Sequence, residues 1–166
     1  MKKILFVSFL FCSVTPVMAT HNLSGDIAYR WISGNTYEIT VHTFTKLSSP
    51  ADRCELTLYF GDGDSALMHR MNGPQTICMA PDFDGVPYNA NVKYNVYQVN
   101  HTYPGPGNYH LTMTDPNRAS GLVNVPNSVN SLFKLEAFLY INAIFGPNSS
   151  PVIDHFTDLD TAYKWT

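Results

Sequence analysis

The sequence predicts an all-β protein, an antiparallel sandwich of about eight short strands. Three observations carry that expectation. Apolar and polar residues alternate with period two in several separate runs. Clusters of Gly, Pro, Asn, Asp and Ser bound those runs, and no window of helical length shows an apolar stripe at i, i+3, i+4.

Residues 1–19 stand apart as a signal peptide. Lys2 and Lys3 precede an apolar run from Ile4 to Val14, Pro16 breaks it, and Val17-Met18-Ala19 supplies the small-residue ending for cleavage after Ala19. That run is short of the roughly 20 residues needed to cross a bilayer, and no later stretch reaches membrane length, so no membrane span is expected after cleavage. Cys12 lies inside the run behind Phe11, a poor context for lipid attachment.

The remainder suits one sandwich over 20–145, followed by a polar linker or tail over 146–166. The first strand is expected over 25–32. In the next, Tyr37, Ile39 and Val41 face one way and Glu38, Thr40 and His42 the other. Leu56, Leu58 and Phe60 alternate with Glu55, Thr57 and Tyr59, and a strand over 65–70 follows. Strands at 93–103 and 120–125 flank a run in which Tyr109, Leu111 and Met113 point inward. Phe133, Leu135, Ala137, Leu139 and Ile141 make the longest inward set. The short connections call for antiparallel pairing. The 71–92 segment exceeds the roughly 15 residues common for loops in compact domains. A further short strand is available at Pro151–Phe156.

Ten basic and thirteen acidic side chains give a formal charge of −3, and losing Lys2 and Lys3 makes the exported chain more acidic still. With no Lys/Arg run, nothing offers the electrostatic footprint of a nucleic-acid binder. Cys54 and Cys78 survive processing. In an oxidising compartment they read as a disulfide worth about 3 kcal/mol by chain entropy, stapling the 71–92 loop to the sandwich edge.

Two motifs stand out. Gly61-Asp62-Gly63 ends a strand, with glycines for positive φ and a carboxylate able to accept backbone N–H bonds across the turn. Then His101-x-Tyr103 closes one strand and Gly107-x-Tyr109 opens the next. This is the arrangement of a tyrosine corner, whose buried ring sends its hydroxyl back to an upstream carbonyl.

On these residues the chain resembles the polycystic-kidney-disease (PKD) type of Ig-like domain, whose signature runs Trp-Asp-Phe-Gly-Asp-Gly, His-x-Tyr, Gly-x-Tyr. It is more closely similar to the N-terminal module of gliding-motility-associated bacterial surface proteins. The shared stretches are Thr20 to Asn22, Ser48 to Arg53, His101 to Gly107, Asp115 to Arg118 and Pro126 to Asn130, within a resemblance covering nearly all of 20–152. Leu58 and Tyr59 stand where the general signature has Trp-Asp. The resemblance implies an Ig-like/PKD-type sandwich and a secreted or cell-surface protein. Longer relatives continue into further modules and a sorting domain for type IX secretion, and this sequence ends at Thr166, where the next module would begin.

The function expected is a non-catalytic exported surface module for adhesion, spacing or protein–protein interaction, with an unidentified protein or glycan partner and no cofactor. Outward-facing Tyr59, Phe138 and Tyr140 are the candidate binding surface, for which packing against the 71–92 loop is the alternative. A carbohydrate-binding module is the second reading. A remote third is a copper-dependent oxidative enzyme, which needs His21 at the mature N-terminus. No Gly-x-Ser-x-Gly elbow or paired Glu residues offer catalytic groups. Cys54 and Cys78 lack the neighbours of a zinc site. Asp62/Asp64 and Asp82/Asp84 read first as turn stabilisers and second as calcium ligands. Asn22, Asn100 and Asn148 begin N-glycosylation sequons of little expected use in a bacterial protein. Asp64-Ser65-Ala66 and Asp160-Thr161-Ala162 resemble bacterial O-glycosylation acceptors.

Overall fold

A computed structural model describes residues 22–49, 53–151 and 153. Cleavage after Ala19, His21, Asp160-Thr161-Ala162 and most of the 151–156 strand fall outside these residues. The eight strands are β1 (Asn22–Ser33), β2 (Thr36–Lys46), β3 (Glu55–Tyr59), β4 (Ser65–His69), β5 (Val86–Pro87), β6 (Val92–Thr102), β7 (Gly107–Asp115) and β8 (Phe133–Ile141). They form two four-stranded antiparallel sheets, β1-β2-β6-β5 and β4-β3-β7-β8, packed as a sandwich.

The alternation explains why the sheets meet. Tyr37, Ile39 and Val41 of β2 are wholly buried, as are Leu58, Leu111, Met113 and Leu139 of the facing sheet. Leu56, Phe60, Tyr109 and Leu135 join them in the core. Facing apolar sets of this size drive the two layers together, since each buried aliphatic or aromatic side chain contributes about 1.5–3 kcal/mol. Leu58 of β3 is fully buried and supplies aliphatic packing to the core.

The strand expected at 120–125 does not form. Leu122 is irregular and Val123 lies in a turn close to Gly121 (φ 81°), and Val123 is entirely exposed. The apolar residues there do not alternate strictly, so neither face could be buried by an extended run. The 71–92 segment contains β5, whose Val86 and Pro87 pair with Tyr94 and Lys93. Beyond β8, Ser149 and Ser150 of the expected tail lie against the outer edge of β1.

Candidate functional site

The Gly-Asp-Gly turn and the His-x-Tyr strand end meet. The Nε2 of His101, on the first sheet, lies 2.7 Å from an Asp62 carboxylate oxygen in the β3–β4 turn of the second. Asp62 also accepts the backbone N–H of Asp64 at 3.1 Å. Burial alone would raise the Asp62 carboxyl, but the His101 bond, the amides and the histidine's charge outweigh it and hold the group below the usual carboxylate range. The His101 ring lies flat on Phe60, with centroids 3.8 Å apart, and meets Tyr103 edge-on at 4.6 Å. Gly61 is required twice over. Its φ is 85°, and a Cβ there would stand 2.5 Å from the His110 backbone nitrogen.

The tyrosine corner has the expected form, with the Tyr109 hydroxyl donating to the Gly105 carbonyl at 2.8 Å. Tyr103 packs between Tyr37 and Tyr109 with its phenol pushed up by burial. Its hydroxyl has no hydrogen-bond partner among the described residues. These motif residues thus form one continuous aromatic and hydrogen-bonded tie across the end of the sandwich.

A second assembly surrounds the cysteines. Cys54 and Cys78 are disulfide-bonded, with Cα atoms 5.8 Å apart. Beside them lies Arg70, a fully buried arginine that the alternation gave no cause to expect. Its side chain donates to the Tyr97 hydroxyl at 3.1 Å and to the Arg53 carbonyl, and its guanidinium stands 5.6 Å from the Tyr97 ring centroid. A buried cation needs such partners to offset lost hydration.

The loop is held by more than the disulfide. The Asp84 carboxylate accepts the N–H groups of Thr76, Ile77 and Cys78 and the Thr76 hydroxyl. The Thr76 hydroxyl is the largest cause holding this carboxyl far below the usual range, followed by an opposing contribution from burial and then the three amides. Asn72 donates to Tyr94 O and accepts from Val96 N, fastening the start of the loop to β6. Asp82 faces the other way, accepting from His69 Nδ1 at 3.0 Å and from Arg70 N at 3.2 Å. Asp82 and Asp84 therefore serve separate networks.

Each described histidine sits beside a carboxylate: His42 with Asp26, His69 with Asp82, His101 with Asp62 and His110 with Glu136, at 2.7–3.0 Å. Glu55, His69 and Asp82 form one group whose ligand atoms all lie within 4.8 Å of one another, and Asp62, Asp64 and His101 form a second. Chemically, either could bind a proton or a cation.

The stretches that carry the family resemblance also converge. Asp115, almost fully buried, accepts from Asn22 Nδ2 and Arg53 Nε, both at 2.8 Å, and Ala119 N donates to Asn22 O. Asn22 is 3% exposed, so its side chain is not available to a glycan, whereas Asn100, Asn148 and Ser65 are exposed.

Tyr59, Phe138 and Tyr140 share the outer face of the second sheet and are 52%, 73% and 51% exposed, so the 71–92 loop does not cover them. His110 stacks on Phe138 at 4.5 Å, and its Nε2 reaches Glu136, which also pairs with Lys134 at 2.6 Å. Leu67 of β4, 52% exposed, extends this face and was not singled out from sequence, because a lone leucine at a strand centre reads as core. Comparison with protein-family models, curated proteins and solved structures gives no match.

Proposed function

We propose that this protein is a non-catalytic exported module of PKD-type Ig-like character that acts at the cell surface through protein–protein contact, in adhesion or spacing. The observation that carries this reading is the outer face of the second sheet. There Phe138, Tyr59, Tyr140 and Leu67 share one exposed face with the polar His110–Glu136–Lys134 chain. Aromatic anchors interleaved with polar groups match the make-up of protein interfaces. The disulfide supports an oxidising, exported setting. The Asp62–His101 tie and the Tyr109–Gly105 corner support the PKD-type resemblance, and with it the gliding-motility-associated, type IX secretion context.

A carbohydrate-binding module is the second reading, favoured by Phe138 and Tyr140 standing two positions apart on one strand. His110 covers one face of the Phe138 ring, which reduces the stacking surface open to a sugar and places this reading behind the first.

The test is binding of the fluorescently labelled chain to intact cells of the producing organism, before and after surface proteolysis or periodate oxidation. Protease-sensitive binding lost in a Phe138→Ser/Tyr59→Ser variant is the expected result. Periodate-sensitive binding lost in the same variant supports the carbohydrate reading instead. Binding unchanged in that variant overturns both.

A further inference from the structure

Glu55 and His69 stand directly opposite each other where β3 pairs with the edge strand β4, so their side chains leave the same face of the sheet. The loop after β4 brings Asp82 to the same place. Asp82 N donates to Met79 O at 2.9 Å, and Gln75 Nε2 donates to Asp82 O at 3.0 Å. Arg70 N donates to Asp82 Oδ1 at 3.2 Å, so the loop and the end of β4 together fix this carboxylate.

The three side chains are spaced as coordination requires. His69 Nδ1 lies 3.0 Å from Asp82 Oδ1 and 3.4 Å from Glu55 Oε1, and the three ligand atoms all fall within 4.8 Å of one another. Zinc bonds to nitrogen and carboxylate oxygen of about 2.0–2.2 Å put neighbouring donor atoms about 3–3.5 Å apart. Glu55 has only to close on Asp82, and its 44% exposed side chain has room to do so.

The charge of the group calls for a cation. Two carboxylates converge on one imidazole nitrogen, which carries at most one proton. Among the described residues no Lys or Arg side chain pairs with either carboxylate. Asp82 is 6% exposed, and its Oδ2 has no hydrogen-bond partner among the described residues. A buried carboxylate with an unused oxygen is costly without a counter-charge.

The imidazole narrows the choice of ion. Calcium takes about six to eight oxygens and magnesium favours oxygen ligands and water, whereas one nitrogen with two carboxylates suits a first-row divalent ion such as zinc. The group of Asp62, Asp64 and His101 is poorer. Its His101 and Asp62 side chains are only 13% and 6% exposed, and their 2.7 Å contact already joins the two sheets.

We propose that Glu55, His69 Nδ1 and Asp82 bind a zinc-type divalent cation, with water completing its coordination. The ion clasps the 71–92 loop to the β3–β4 edge, one residue along the chain from the Cys54 end of the disulfide.

Calorimetric titration of Zn²⁺ into the tag-free chain, with its disulfide intact, tests this. One ion per chain should bind, with affinity falling about tenfold or more in His69→Ala and in Glu55→Gln. His110→Ala and Asp64→Asn should bind within about twofold of the parent. All four side chains are at least partly exposed, and melting temperatures in EDTA check that each variant is folded. X-ray absorption at the zinc edge should show one imidazole, oxygen neighbours and no sulfur. Zn²⁺ should also raise the melting temperature of the parent more than that of Glu55→Gln. Three results overturn the proposal: no saturable binding at millimolar Zn²⁺, equal binding by His69→Ala and the parent, or binding lost in Asp64→Asn or His21→Ala instead.

Discussion

His101 and Asp62 are 39 residues apart in sequence and 2.7 Å apart in space, and their bond joins the two sheets at one end of the sandwich. The His101 ring is held by Phe60 on its face and Tyr103 at its edge, which orients Nε2 toward the carboxylate. A charge-assisted bond of this kind contributes more than an ordinary one.

Replacing Asp62 with Asn should cost about 1.5–3 kcal/mol, the range for hydrogen bonds to charged groups. Because the folded-state pKa is depressed, the carboxylate's contribution is complete above its ordinary value of 3.8 and is lost as pH falls through the lower folded value. Urea unfolding across pH should therefore show a shallower acid limb in Asp62→Asn than in the parent.

Two tyrosine-to-phenylalanine changes should act in opposite directions. Tyr109→Phe removes the donor to Gly105 O and should destabilise by about 1 kcal/mol. Tyr103→Phe removes a buried hydroxyl that has no partner among the described residues, and should stabilise by up to about 1 kcal/mol. Denaturation midpoints at unchanged m-value decide both.

Alanine at Gly61 should be far worse than alanine at Gly63. Both have positive φ, 85° and 103°, but nothing lies within 4 Å of a Cβ at Gly63. Gly63→Ala should cost about 1–2 kcal/mol of backbone strain. Gly61→Ala must also push β7 away at His110, and thermal unfolding should place it well below Gly63→Ala.

Reducing the disulfide should loosen the 71–85 segment without releasing it, because Asp84 and Asn72 still hold its two halves. That remaining order should fail in acid. The Asp84 pKa is depressed, so its hold persists below the ordinary carboxylate range and is lost as pH falls through the folded value. In the reduced protein, exchange at the amides of residues 76–78 should accelerate at strongly acidic pH. Asp84→Asn should show fast exchange there at every pH.

The alternation in β2, β3, β7 and β8 placed the core side chains correctly, since a half-buried strand must show period two. The corner was legible for a similar reason, because Gly107-x-Tyr109 is a local geometry. Arg70 was not legible. It shares parity with buried Met68, but a charged residue at a strand end reads as solvated, and partners distant in sequence, Tyr97 and Arg53 among them, make its burial tolerable. β5 escaped notice because two residues carry no period. The 120–125 segment misled because Leu122, Val123 and Val125 are apolar without alternating. The bonds of Asp115 to Asn22 and Arg53 depend on three distant stretches meeting, which no local pattern encodes.

On the proposed reading, a module at a cell surface is pulled as well as bound. Cys54 and Cys78 enclose a sequence separation of 24 residues, and a covalent bond does not yield at forces that strip a sheet strand by strand. Under tension between the chain's ends, the disulfide keeps that loop out of the load path. The extension released on unfolding is then shorter by roughly 80 Å than for the reduced chain, at about 3.3–3.6 Å per residue. The bond thus sets the module's length under load as well as its stability at rest.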